Sequence, residues 1–191
     1  MLWPYPYYLY ESELPKDFCN AMLTMFKEDG AEEAGVYVGD RTEIQTEVRN
    51  NSINWITHPD IIEIMQIYTQ KANEDAGWNF DVISYETPQL SCYAPGQFYD
   101  WHVDMGVEQP NDVFFRKLSI SISLNEDYEG GDFEIEHWCA PNVTKRHNSI
   151  KGMRKTGSIV VFPSFLHHRV APITKGKRYS LVCWFRGPQF K

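Results

Sequence analysis

A mainly β fold, a sandwich or barrel braced by two helices, is what this sequence predicts. Three observations predict it. From Trp78 onward the chain reads as short runs suited to strands. Turn residues punctuate those runs: Pro95-Gly96, Gly130-Gly131, Gly152, Gly157 and Lys175-Gly176. Helical spacing is confined to two stretches in residues 1–77. Many short strands with such punctuation indicate two packed sheets or a closed one.

In chain order, residues 3–10 suit a first strand. Residues 13–28 carry Phe18, Met22, Met25 and Phe26 at helical spacing, and Gly30 ends that run. Pro59 opens a second helix that continues to about Asp75, with Gly77 after its end. Both helices read as scaffolding. Strands are expected at 79–86, 89–94, 98–104, 117–124, 132–136, 158–162, 167–171 and 178–186. Within one of them, Leu118, Ile120, Ile122 and Leu124 alternate with Ser119, Ser121 and Ser123. Those serines form either a solvent-facing row or the polar lining of a barrel interior.

The 191 residues suffice for one domain with a substantial core. A net charge of −8 disfavours nucleic acid as a partner, because phosphate binding needs clustered cations. The one local basic patch, Lys145, Arg146, His147, Lys151, Arg154 and Lys155, reads first as a solvated loop. No apolar run reaches membrane-spanning length, and the aromatic N-terminus lacks signal-peptide features. Cys19, Cys92, Cys139 and Cys183 are widely spaced, without a Cys-x-x-Cys pair. They are expected as reduced thiols in a cytoplasmic protein.

The chemistry concentrates in Tyr99-Asp100-Trp101-His102-Val103-Asp104 and in Pro163-Ser164-Phe165-Leu166-His167-His168-Arg169-Val170. In a strand, i and i+2 share a face, so His102 and Asp104 are expected to point together. A returning strand brings His167 or His168 beside them. Adjacent strand residues face opposite sides, so only one of the two can join. Two imidazoles and a carboxylate on one side of a metal leave the other positions open, which suits non-haem Fe(II). Arg178 and Ser180 follow after a turn, also i and i+2. A guanidinium there could hold the far carboxylate of a metal-bound acid. His58, His137 and His147 have no partners at ligand spacing.

These motifs, in this order, resemble the iron- and 2-oxoglutarate-dependent dioxygenases, in particular the prolyl 4-hydroxylase-type branch. The resemblance runs from Tyr93-Ala94-Pro95-Gly96-Gln97-Phe98 through His102 and Asp104. It continues over residues 118–124, Gly130-Gly131-Asp132-Phe133 and Gly157-Ser158-Ile159-Val160-Val161-Phe162-Pro163, to His168-Arg169-Val170 and Arg178. It covers about residues 80–187. It implies a double-stranded β-helix, or jelly roll, in 78–187, with a helical scaffold mostly in 1–77 and a single domain over 1–191. It selects His168 as the third metal ligand, because the family's ligand directly precedes Arg-Val and lies ten residues before the arginine. It assigns Arg178 to 2-oxoglutarate, assisted by Ser180 and Tyr93. Ser123 stands where some members have a tyrosine that reaches the co-substrate.

The implied activity is hydroxylation of an unactivated C–H bond with Fe(II), 2-oxoglutarate and O2, with ascorbate as a candidate reductant. A prolyl residue in a peptide or protein is the expected substrate, walled by Tyr99 and Trp101 and covered by residues 105–112 as a lid. Two other functions stay open from the residues: a cupin-like metalloenzyme that is not an oxygenase, and a non-catalytic binding module. The first needs no Arg178 clamp, and the second needs no complete metal triad.

Overall fold

The computed structural model describes residues 5–28, 30–38, 41–105, 114–136 and 147–190. The elements run β1 (Tyr8–Tyr10), α1 (Lys16–Met25), β2 (Glu32–Glu33), β3 (Val36–Val38), β4 (Arg41–Glu43), β5 (Ser52–Trp55) and α2 (Pro59–Asp75). They continue β6 (Ser84–Tyr85), β7 (Gln89–Tyr93), β8 (Tyr99–His102), β9 (Phe115–Ser123), β10 (Glu129–Gly130), β11 (Phe133–Glu136) and β12 (His147–Ser149). A short 3-10 helix (Lys151–Arg154) precedes β13 (Ile159–Pro163), β14 (His168–Val170), β15 (Ile173–Lys175) and β16 (Arg178–Gly187).

Two sheets make the jelly roll. The larger has the order β1-β13-β9-β16-β7-β5-β2, with β6 beside β16. The smaller has the order β12-β11-β14-β8. Among the described residues every strand pairing is antiparallel. One apolar cluster fills the space between the sheets: Tyr93, Val160 and Phe162 from the larger against Phe133, Ile135 and Val170 from the smaller. A second cluster joins the outer face of the larger sheet to the helices, through Leu118, Ile120, Ile122, Val161 and Leu181 against Cys19, Met22, Ile61 and Met65. Burial of apolar area is the main drive for that contact, and each fully buried aliphatic chain contributes roughly 1.5–3 kcal/mol.

Local chemistry sets the helix limits. α2 has Pro59 in its first turn, where the missing N–H costs nothing, and Asp60 beside the positive end of the dipole. Ile61, Met65, Thr69 and Ala72 repeat on one face and are buried. Gly77 follows with φ +70, a left-handed turn that suits glycine. α1 is shorter than residues 13–28. Extended Pro15 precedes it, and Phe26 closes it with its N–H on the Leu23 carbonyl.

Other boundaries differ from the periodicity. The first strand is only β1, and residues 3–4 of its expected span lie outside the described residues. The expected strand 79–86 shrinks to β6, because Asn73 holds residue 80 through both its amide atoms (2.9 Å each) and bends the chain there. The expected strand 98–104 stops at His102. The segment between the helices carries β2 to β5, which the sequence did not reveal. β5 pairs with β7 and extends the larger sheet. Gly130 and Gly131 sit at φ +72 and +64, and a Cβ on Gly131 would lie 2.3 Å from Ile173 and 3.3 Å from the Arg178 side chain. Only glycine lets that turn pass so close.

The serine row is resolved by β9. Its apolar side packs on the helices, so Ser119, Ser121 and Ser123 face the interior between the sheets, all at most 4% exposed. A solvent-facing row is excluded. Cys19, Cys92 and Cys183 are buried free thiols, with burial raising the Cys183 thiol to about 12. Cys139, His137, Lys145, Arg146 and residues 106–112 of the expected lid lie outside the described residues. No described helix is long and apolar enough to cross a membrane.

Candidate metal centre

β14 pairs with β8 so that His168 lies directly opposite His102. Side chains opposite each other across a ladder share a face, and both imidazoles point between the sheets. His102 Nδ1 lies 2.7 Å from the Asp100 carbonyl, and His168 Nδ1 lies 3.0 Å from the Leu166 carbonyl. A carbonyl only accepts, so each Nδ1 is the N–H donor. Each Nε2 then carries the lone pair, and both lone pairs face Asp104. The distances are 3.6 Å from His102 Nε2 to Asp104 Oδ1 and 3.5 Å from His168 Nε2 to Oδ2. Among the described residues these three form the one cluster with metal-ligand geometry, with ligand atoms within 4.8 Å of one another.

Asp104 reaches this position by a different route from the expected strand alternation. It lies past the end of β8. Its N–H and that of Met105 both donate to the Ser164 carbonyl, at 2.9 and 2.8 Å. Ser119 Oγ donates to its Oδ2 at 2.6 Å. Arg116 Nη1 donates to its carbonyl at 3.3 Å. Burial works against the charge on Asp104, but His168, His102 and Arg116 outweigh it and hold the carboxyl far below the usual carboxylate range.

His168 is packed by Phe162 and Phe133. Burial first, then the His102 imidazole, lowers its pKa from 6.5 to about 4, against the pull of Asp104. In the unfolded chain the same ring takes up a proton at ordinary pH, so the unfolded state binds more protons below 6.5. Stability of the metal-free protein should therefore fall as pH drops from 6.5 towards about 4. Chemical denaturation with a chelator present measures this. The loss over that window should shrink in His168→Asn, and an unchanged slope in that variant would refute the assignment. His167 faces the other way, exposed, with Nδ1 2.9 Å from Glu136.

The residues expected to hold the far carboxylate lie on the larger sheet. Arg178 is 1% exposed and lies opposite Tyr93 across the β16–β7 ladder. Its Nη1 donates to Ser180 Oγ at 3.0 Å, while Nε and Nη2 have no partner among the described residues. A buried guanidinium with two unmet donors is costly unless an anion meets them. Ser180 lies opposite Ser91 on one side and Ser123 on the other. That places three hydroxyls in a row beside the guanidinium, and Ser91 Oγ is also without a partner among the described residues. The donor set fits a carboxylate.

Tyr99 stacks flat on His102, with centroids 3.4 Å apart and planes within 11°. Above it lies Arg49, whose guanidinium is 4.6 Å from the Tyr99 ring and bonds Asn51, Gln89 and the Gly35 carbonyl. Trp101 is not brought to the site. It lies with Arg169 (5.0 Å) and His147 (5.2 Å) on the opposite face of the smaller sheet. An irregular register between His168 and Val170 explains why Tyr99, three residues before His102, shares its face. Sequence reasoning missed Arg49, Ser91, Ser119 and Ser164. Only the serine row carried any hint of them.

Residues 88–186 match the family described as the 2OG-Fe(II) oxygenase superfamily. A PKHD-type hydroxylase of Hyphomonas neptunium is 34% identical over 107 residues, which is 54% of this chain and 44% of that protein. One from Pseudomonas fluorescens Pf-5 is 32% identical over 102 residues, 51% of this chain and 42% of that protein. The chain thus spans less than half the length of these curated relatives. A crystal structure of a Pseudomonas putida prolyl-4-hydroxylase superposes with TM-score 0.72 at 21% identity, covering 97% of this chain and 95% of that one. The viral collagen prolyl hydroxylase of Paramecium Bursaria Chlorella virus-1, as its 2OG complex, gives 0.69 at 18% identity over 96% and 97%. A Trichoplax adhaerens prolyl hydroxylase in complex with a hypoxia-inducible-factor peptide fragment gives 0.66 at 18%, over 94% and 83%. These structural likenesses are likenesses of fold.

Proposed function

The chain belongs to the 2OG-Fe(II) oxygenase superfamily, and from that premise we propose that it is an Fe(II)- and 2-oxoglutarate-dependent dioxygenase that hydroxylates a prolyl residue in a peptide or protein. The observation that carries this reading is the pairing of two half-sites. One is the His102, Asp104 and His168 cluster, and the other is buried Arg178 with its unmet donors. A metalloenzyme of another class has no use for the second half-site. A binding module has no use for the first.

His102, Asp104 and His168 would hold Fe(II), which, with 2-oxoglutarate and O2, supplies the oxidising chemistry for C–H hydroxylation. The chain's own residues do the rest. The Asp100 and Leu166 carbonyls fix each imidazole with its Nε2 lone pair inward. Asp104 stays ionised and offsets part of the metal's charge. Arg178, with Ser180, meets the distal carboxylate through parallel N–H donors, and the hydroxyl of Tyr93, opposite Arg178 on β7, assists. Tyr99 closes the side of His102 and offers an aromatic face to a flat pyrrolidine ring. We assign residues 1–191 to one catalytic domain. The prolyl substrate follows the prolyl hydroxylases among the structural neighbours and the aromatic wall at Tyr99.

Two measurements test the reading in turn. Succinate release should require Fe(II), 2-oxoglutarate and O2 together; release without any one of them overturns the reaction class. Mass spectrometry of proline peptides should then show a 2-oxoglutarate-dependent gain of one oxygen. Gain on free amino acids alone would replace the substrate and leave the reaction class standing.

A further inference from the structure

Asp104 lacks the support that positions an ordinary strand residue. It sits beyond β8, so no pleat sets the direction of its side chain, and the backbone bonds to Ser164 fix only its main chain. Rotation about the carboxylate is fixed instead by a chain of hydroxyls. Ser119 has one proton, and at 2.6 Å that proton goes to Asp104 Oδ2, because an ionised carboxylate only accepts. Ser119 Oγ lies 2.9 Å from Ser164 Oγ, so Ser164 must be the donor in that second bond. The order Ser164 to Ser119 to Asp104 is one-directional. Both serines are at most 2% exposed, so water does not compete.

The two carboxylate oxygens would otherwise be equivalent. One faces His102 Nε2 at 3.6 Å and the other faces His168 Nε2 at 3.5 Å. Such symmetry invites both oxygens onto one metal, which would use a coordination position that the reaction needs. We propose that Ser119 is a positioning residue for the metal centre. By engaging Oδ2 it leaves Oδ1 as the oxygen that Asp104 offers, and so keeps the carboxylate a one-oxygen ligand. This rests on the reading of His102, Asp104 and His168 as a metal site.

Binding of Co(II) alone, followed by visible absorption, tests this without turnover. The spectrum of bound Co(II) follows its coordination number. Ser119→Ala removes the hydroxyl without adding volume, and Ser119→Val and Ser119→Thr match each other in shape but differ in the hydroxyl. Loss of an outer hydrogen bond to a metal ligand typically weakens binding roughly 10–100-fold. The Ala and Val variants should show a weakening in that range and a changed spectrum, while Thr keeps the wild-type affinity and spectrum. Thermal melting of the metal-free variants separates misfolding from this effect. Val and Thr variants that bind Co(II) alike would overturn the proposal and leave the metal site standing. Wild-type protein that binds no Co(II) would overturn both.

Discussion

Ala in place of Asp104 or His168 should abolish 2-oxoglutarate turnover and leave Fe(II) binding weaker by more than the roughly 100-fold that outer contacts control. The reason is the small ligand number. Each of the three residues offers one ligand atom, and all three are held in place by packing and hydrogen bonds. Removing one leaves two donors and a hole lined by Phe162 and Phe133 or by Ser119. His167→Ala is the matched control, because that ring is exposed and bonded to Glu136. It should retain both metal and activity. The reverse result, with His167→Ala inactive and His168→Ala active, would show that the third ligand has been misassigned.

Arg178→Ala should raise the 2-oxoglutarate requirement by roughly 30-fold or more. Truncating one partner of a buried, hydrogen-bonded charge pair costs about 2–5 kcal/mol, and 1.4 kcal/mol is tenfold. Fe(II) binding should survive, since Arg178 sits on the larger sheet and the metal ligands lie on β8, the turn after it, and β14. Arg178→Lys keeps the charge and loses the planar pair of donors, so it should recover only part of the affinity. The readout is the 2-oxoglutarate dependence of succinate release together with Fe(II) affinity. An unchanged dependence in the Ala variant would remove Arg178 from the co-substrate site.

The elements legible in the sequence are those whose signal is local. α2 appears with its limits because Pro59, Gly77 and the buried face repeat within a few residues. β9 appears because its alternation of Leu and Ile with Ser is long, and β16 because the Lys175-Gly176 turn signal precedes a long run suited to a strand. The three residues of the His-Asp-His cluster were legible as a motif, and Arg178 was singled out by the resemblance through its distance from His168. Trp101 and Tyr99 were not separable, because both are aromatic strand residues and only the irregular register of β8 against β14 assigns them to opposite faces. Asp104 was placed with its partners by strand alternation, yet the fold holds it by Ser164, Ser119 and Arg116, from β9 and the turn after β13. Arg49 carried no signal at all. Its importance arises only when the segment before β5 bridges Tyr99 and its side chain reaches Gln89 on β7.

The pairing of His168 with His102 has a kinetic consequence. The two rings meet only when β14 docks on β8, and the whole of β9 to β13 lies between them in the chain. Closing so long a loop costs entropy before any contact rewards it, and folds dominated by such pairings form slowly. A chain in which β14 has not docked on β8 should therefore not hold the three ligand atoms together. In small metallo-domains the ion organises the chain around itself; here the long-range pairing of β14 with β8 is what brings the two imidazoles together. Capture of the ion should then follow the docking of β14 on β8, so that refolding in the presence of a chelator is expected to proceed at the same rate as refolding with Fe(II).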